Sequence, residues 1–386
     1  MVSALHVSSL LPMIADQAGD ADTTRSVSRG VIDALKGNDV MRLSASGEIG
    51  GLAAPIADIG AELEATATAC GSTAWCLWNH LCTFHFFCGL LGPDQADHLA
   101  SITAQREWVC FPAGAGTGIG ARADGQDLLL SGVAAFGSGA RYADHAGVIF
   151  MPKGEKDVRF ALVPTAAEGF RVDPTWKAMS LRASATDHVR YDDVRVPLSR
   201  IVAFPSRPRE IMRDPSHPVI HHRYREDWVG LSDLWLGAMA VGVAQASLTE
   251  CCENIQGRAG IMGVKMIDRP TIHVNLGQAG AMIGAARASV YEAMRATDLR
   301  IAGRVLPTEA DYLGHLAAAM SALKLCDDAM RLILRVLGGN GLREGANFER
   351  RYRDFQAMPL HINAHPDRVS EQFGRHLLGL PPDAAF

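Results

Sequence analysis

What this chain lacks narrows its chemistry before any positive signal is read. It carries no HExxH, no GxSxG, no P-loop and no GxGxxG after a leading strand, so a zincin, an acyl-transfer serine enzyme, a P-loop NTPase and a nicotinamide-binding domain lose their usual fingerprints. Charge of one sign is also missing. The 37 Lys and Arg are set against 42 Asp and Glu, interleaved along the chain, for a net charge of -5. That leaves no continuous basic footprint for a phosphate backbone, and nucleic acid is not an expected partner. No run of 18 apolar residues occurs without a charge or a histidine, and the N-terminus lacks the basic and uninterrupted apolar regions of a secretory signal. No membrane partner is expected, and a cytoplasmic location is.

Eight cysteines are present without a CxxC. Cys70, Cys76, Cys82 and Cys88 follow at intervals of six, a step of about 600° on a helix, so successive members point in different directions. No metal centre is expected from them, and they read as reduced, buried small hydrophobes.

What is present is an ordinary globular composition, 48% hydrophobic and 20% charged over 386 residues, enough for two or three units with a core. Residues 1–105 read as helical. One helix carries the stripe Val27, Val31, Ile32 and Leu35 and stops at Gly37; a second block runs from about residue 56 through GSTAWCLWNHLCTFHFFCGLL to residue 92. Residues 106–210 change texture. The runs DLLLSGVAAF, HAGVIFMP, VRFALVP and HVRYDDVRVP, parted by turn residues, predict an antiparallel β domain, with a Pro-rich linker after it. Residues 211–386 return to helices of 25 to 30 residues, rich in Ala and Gly, that suit a closely packed bundle.

This order, with several local strings, resembles the acyl-CoA dehydrogenase superfamily, and within it the flavin-dependent monooxygenase branch that supplies the oxygenase of two-component systems. The strings are GSTAW at 71–75, FGSG at 136–139 followed by ADH, WKAMSLRASAT at 176–186 leading to DDVRVP, LGGNG at 337–341 and ERRYRD at 349–354. The similarity spans essentially the whole chain. It implies a mainly α fold with an N-terminal helical domain, a small central β-barrel-like domain and a C-terminal four-helix bundle, assembled as a homotetramer.

The resemblance also assigns residues. FGSG would bring its backbone near a flat ligand, with Ser138 facing the edge of a flavin ring and Phe136 beside it. Ser184 and Thr186, on one face of an extended segment, would contact the flavin, with Trp176 near the ring. Arg258 in GRAGIMG would reach the flavin phosphate in a neighbouring subunit, and the turn of Gly338 and Gly339 would lie near the same cofactor. The ordinary alternatives are a tight turn for FGSG, turn hydroxyls for Ser184 and Thr186, and a helix-end cation for Arg258.

An acyl-CoA dehydrogenase needs a carboxylate base, in many members eight residues after the Asp of the R-D pair. Here that place is Ile362, preceded by His361, and no Glu-Gly-Thr follows. A relocated base at Glu253 would require a forced alignment. A histidine at this place fits the monooxygenase branch, where reduced FMN or FAD from a separate NAD(P)H-dependent reductase reacts with O2 to a C4a-hydroperoxide and an imidazole manages protons. His361 is the first candidate for that role and His365 the second, with Ser138 as their catalytic partner. Trp78, His80, Phe84 and His85 are expected to line an apolar pocket for a small, aromatic substrate, or else to be core. The predicted activity is hydroxylation or N-oxidation of that substrate. The competing readings are an acyl-CoA dehydrogenase with a relocated base and a non-catalytic assembly protein that keeps the fold.

Overall fold

A computed structural model of the chain describes residues 5–112, 118–260 and 263–381. Helices α1 (Leu11–Asp16), α2 (Ala18–Thr24), α3 (Arg29–Lys36), α4 (Ile56–Ala69), α5 (Gly71–Leu91) and α6 (Ala96–Gln105) come first. The predicted stripe forms α3, with Val31, Ile32 and Leu35 buried and Ser28 capping its start by accepting from the Val31 N–H. The block read as one helix from residue 56 is two. Cys70 is extended between α4 and α5, and the break lets Gly71 pass so close to Asp354 that a Cβ there would meet its carboxylate at 3.3 Å. Nothing local announces this break, because its cause lies nearly three hundred residues away.

Twenty of the 21 residues of α5 are buried, so the helix has no polar face and must be enclosed on all sides. Strands β1 (Val109–Cys110), β2 (Ile119–Asp124), β3 (Asp127–Gly137), β4 (His145–Pro152), β5 (Arg159–Pro164), β6 (Phe170–Asp173), β7 (Asp187–Pro197) and β8 (Ile201–Ala203) form one sheet in the order β6-β7-β3-β2-β4-β5-β8, with β1 beside β4. The sheet is not wholly antiparallel as expected. β4 pairs in parallel with both β1 and β2, and this join unites two antiparallel halves. Pairing between β3 and β7 slips between Ala134 and Gly137. The slip is a β-bulge, and it leaves Phe136 at φ +59.

After α7 (Pro208–Arg213), within the Pro-rich linker, come α8 (Trp228–Gln256), α9 (Pro270–Ala302), α10 (Glu309–Leu337), α11 (Asn347–Ala357) and α12 (Pro366–Leu377). Asp227 caps α8 through the Val229 and Gly230 N–H groups, and Thr308 with Asp311 makes a capping box on α10. α8, α9 and α10 pack on one another, α12 lies along α10, and α4 joins them against α8. The approach of α4 is close: a Cβ at Gly242 of α8 would run into the Glu64 carbonyl. α8 is by length and composition the one described helix apolar enough to cross a membrane, but 83% of its most apolar window is buried inside the bundle. Its hydrophobicity is that of a core helix.

Candidate active site

The segment following β6 carries three of the expected cofactor contacts, Trp176, Ser184 and Thr186, and the fold straps it down from several sides. Arg25 donates to the Ala178 carbonyl at 2.9 Å and Arg353 to the Met179 carbonyl at 2.7 Å. The Leu181 N–H donates to Asp354 Oδ1 at 2.6 Å, and the Trp176 indole donates to the Leu181 carbonyl at 2.9 Å. The Ser184 carbonyl accepts from the Gly139 N–H at 2.9 Å and from the Cys76 thiol at 3.3 Å. Such a network holds the segment in one geometry before anything binds. Leu181 and Ala185 both sit at φ +47, and with Phe136 they put three left-handed, non-glycine residues around one spot. Strain of this kind gathers at functional sites when the surroundings enforce it.

Within this frame three expected hydroxyls meet. Ser184 Oγ lies 2.7 Å from Thr186 Oγ1, which lies 3.1 Å from Ser138 Oγ. The chain ends on α5, where the Trp75 indole N–H donates to Ser138 Oγ at 3.0 Å. All three hydroxyls are buried, while Phe136 beside them is 59% exposed and Met179 61%. The Trp176 ring stands edge-on to Phe136 at 6.5 Å. An exposed aromatic platform beside a buried hydroxyl chain fits a planar ligand with polar edges, and the residues present therefore suit a flavin. The glycines of FGSG are also needed for packing within the chain. A Cβ at Gly137 would meet Pro112, Ala140 and the Asp187 carbonyl at 3.2 Å, and one at Gly139 would meet the Trp108 indole at 3.3 Å. They allow close packing within the chain.

His361 follows a short turn after α11 and packs against the same indoles. Its ring centroid is 5.7 Å from Trp75 and 5.1 Å from Trp78, edge-on to both. The residue is half-buried, but its Nδ1 is sealed from solvent and has no hydrogen-bond partner. Desolvation, with help from the Arg368 cation, lowers its pKa to about 4, so the ring is neutral at physiological pH. Ser138 and His361 thus both touch Trp75. His365 instead occupies the N-cap position of α12, and among the described residues no ring contact joins it to the tryptophans. Of the two candidates, His361 is the one that packs against Trp75 and Trp78.

Two histidines of the expected pocket turn out otherwise. His80 Nδ1 accepts from the Val109 N–H at 3.1 Å and its Nε2 donates to the Met41 carbonyl at 3.0 Å, so both nitrogens are satisfied within the chain. Phe84 stacks on it at 6.1 Å. His85 Nε2 reaches the Glu226 carbonyl at 3.2 Å, and its ring lies against Tyr224. Burial lowers both imidazoles, His80 to about 4 and His85 to about 3. These three side chains are core, because α5 is enclosed all round; of the expected pocket residues only Trp78 reaches His361.

Arg258 also keeps a local partner: its guanidinium donates to the Leu337 carbonyl at 3.1 Å, at the end of α10. It thereby lies beside the exposed Gly338–Gly339 turn, and within one chain this cluster makes no hydrogen bond to the Ser138 group among the described residues. Glu253 is exposed on α8. A groove of about 530 Å³ between α4 and α9 is lined by Glu64, Arg287 and Tyr291, which hydrogen-bond to one another, and shares no residue with the site.

Two residues escaped sequence reading. Asp354, treated only as a marker of register, is buried, holds Leu181 and has its pKa pushed up to about 7 by desolvation. Asp233 lies fully buried in α8, and the signal was available, since it is the one acid in the apolar run GLSDLWLGAMAVGVA.

Comparison with known proteins bears on this geometry. Residues 112–194 match the family model for the acyl-CoA dehydrogenase middle domain and residues 234–366 that for its C-terminal domain, together more than half of the chain. The oxygenase component of the FADH(2)-dependent resorcinol hydroxylase of Rhizobium sp. (strain MTP-10005) is 26% identical over 404 residues, covering 99% of this chain and 95% of that protein. The flavin-dependent monooxygenase oxygenase subunit HsaA of Rhodococcus jostii (strain RHA1) is also 26% identical, over 97% of this chain and 98% of its own length. The solved structure of XiaF from Streptomyces sp. in complex with FADH2 and glycerol superposes with a TM-score of 0.88 at 20% identity, covering 98% of this chain and 95% of that one.

Proposed function

The chain belongs to the acyl-CoA dehydrogenase superfamily, in its flavin-dependent monooxygenase branch, and we propose that it oxygenates a small aromatic substrate as the oxygenase component of a two-component system. The observation that carries this reading is the meeting of Ser138 and His361 at Trp75, where a buried hydroxyl and a neutral imidazole share one indole. The place of a dehydrogenase base is taken by the exposed Ile362, and the alternative base Glu253 is exposed.

When bound, reduced FMN or FAD supplies the electron pair with which O2 is divided between product and water. This chain's part is positional and protic. Phe136 and Trp176 offer the platform, and Ser138, fixed by Trp75 and Thr186, presents a hydroxyl to the ring edge. Trp75 and Trp78 exclude water from the face where His361 stands. A neutral His361 can take the proton that a hydroxyl or ring carbon of the substrate releases, at the unpartnered Nδ1. A separate reductase supplies the reduced flavin. We further propose assembly as a homotetramer, in which Arg258 and the Gly338–Gly339 turn serve a flavin held by the adjacent subunit. The exposed Leu342, Leu360, Ile362, Leu377 and Leu378 in the C-terminal region support a surface covered by another subunit.

Stopped-flow mixing of the protein and reduced flavin with O2 tests the activity, with resorcinol as one trial substrate. A transient distinct from the reoxidation of free flavin, followed by a hydroxylated product, is expected. Reoxidation at the uncatalysed rate with no oxygenated product from any aromatic trial substrate would overturn the proposal.

A further inference from the structure

The hydrogen bond from Leu181 to Asp354 matters for what hangs on its far side. Leu181 sits at φ +47, and its carbonyl accepts from the Trp176 indole at 2.9 Å and from the Ser184 N–H at 3.0 Å. One residue therefore carries the orientation of the aromatic platform and of the hydroxyl segment. A left-handed leucine is unfavourable on its own and persists only where its surroundings enforce it. Here the enforcing contact is at its own N–H, which donates to Asp354 Oδ1 at 2.6 Å.

An anchor must itself be fixed, and Asp354 is. It is 2% exposed on α11, beside the fully buried Phe355, and it lies against the first turn of α5, where a Cβ at Gly71 would meet its Oδ2 at 3.3 Å. Cys70 gives α5 no side-chain cap, so a carboxyl there also faces the positive end of that helix dipole. Trp75, which holds Ser138, follows one turn later on the same helix. Through one carboxyl the segment of Trp176 and Ser184 is thus set against the helix that fixes Ser138. Arg353 adds a second tie, at the Met179 carbonyl, but its guanidinium is shared with Asp22 and Glu349.

We propose that Asp354 is a positioning residue for the flavin: through Leu181 it holds Trp176 and Ser184 in place against α5 before the cofactor arrives. This rests on the flavin-dependent reading of the site and on no particular substrate.

Hydrogen exchange read by mass spectrometry on the flavin-free full chain, together with anaerobic equilibrium dialysis of reduced FMN and reduced FAD, tests it. In the wild type, peptides across residues 176–186 should be protected without flavin. Asp354→Ala should deprotect them while peptides of α8 and α10 stay protected, and should weaken binding of the flavin that the wild type takes by about tenfold or more. Asp354→Asn keeps an oxygen that accepts from Leu181, and should hold both readings within about threefold of wild type. A folded Asp354→Ala that binds reduced flavin as the wild type does overturns the proposal, whether or not its bundle loses protection. So does a wild-type 176–186 segment that exchanges freely without flavin, a result that needs no variant to fold. A wild type with a protected segment and no affinity for either reduced flavin counts against the flavin reading alone.

Discussion

His80 and His361 are both neutral imidazoles packed against tryptophan, and they are wired in opposite ways. His80 lies between Phe84 and Trp108 with each ring nitrogen bonded to the backbone of a different segment, so it spends its whole hydrogen-bonding capacity on tying α5 to its neighbours. His361 lies between Trp75 and Trp78 with Nδ1 unbonded. His361 is the less buried of the two and keeps a ring nitrogen unbonded, and the proposed proton-carrying role rests on that contrast together with its place against Trp75 and Trp78.

The largest effect that could break this contrast is on turnover. His361→Ala should lower product formation by about 100- to 10,000-fold, the range of a lost general base, with little change in the thermal midpoint; His365→Ala should stay within about twofold. Product assays on folded, flavin-loaded variants decide it, and an active His361→Ala would place both histidines in one class.

His80→Ala should do the reverse, costing about 2–4 kcal/mol of stability while product formed per folded molecule is kept. The cost should also depend on pH. The folded-state pKa of His80 is lowered from 6.5 to about 4, so the unfolded chain takes up its proton first, and the stability from His80 is complete above 6.5 and fades as pH falls toward 4. Denaturation of wild type and His80→Ala at pH 7 and at pH 4.5 should show the gap narrowing at the lower pH.

The smallest expected effect concerns a residue with two possible duties. Arg258→Ala should change stability by no more than about 1 kcal/mol, the worth of a cation at a helix end, and weaken flavin binding about tenfold if the residue serves a neighbouring subunit. Flavin titration separates the two. A loss of stability with unchanged flavin affinity would leave Arg258 as a helix-end partner of Leu337 alone.

Much of the fold was legible because its signals are local. The stop of α3 at Gly37, the long Ala-rich helices and the short strands each follow from spacing and turn chemistry within about thirty residues. The break at Cys70 and the bulge at Phe136 were not legible, because the first is set by Asp354 and the second by the register of β7. In the site, Ser138, Ser184 and Thr186 could be named from their strings, whereas His80, Phe84 and His85 were drawn into the pocket by composition alone. An aromatic helix reads the same whether it faces a ligand or a core.

The chain's own order of residues determined the three blocks, the hydroxyls of the 136–139 and 176–186 segments, the absence of a glutamate after Asp354 and the histidine one place before its site. Tertiary structure decided which histidine faces the tryptophans, which ones are consumed as core, and that Asp233 is buried in α8. The physical reason is the same in each case: residue type sets what a side chain can donate or accept, and only the packing of distant segments sets which of those capacities is already used.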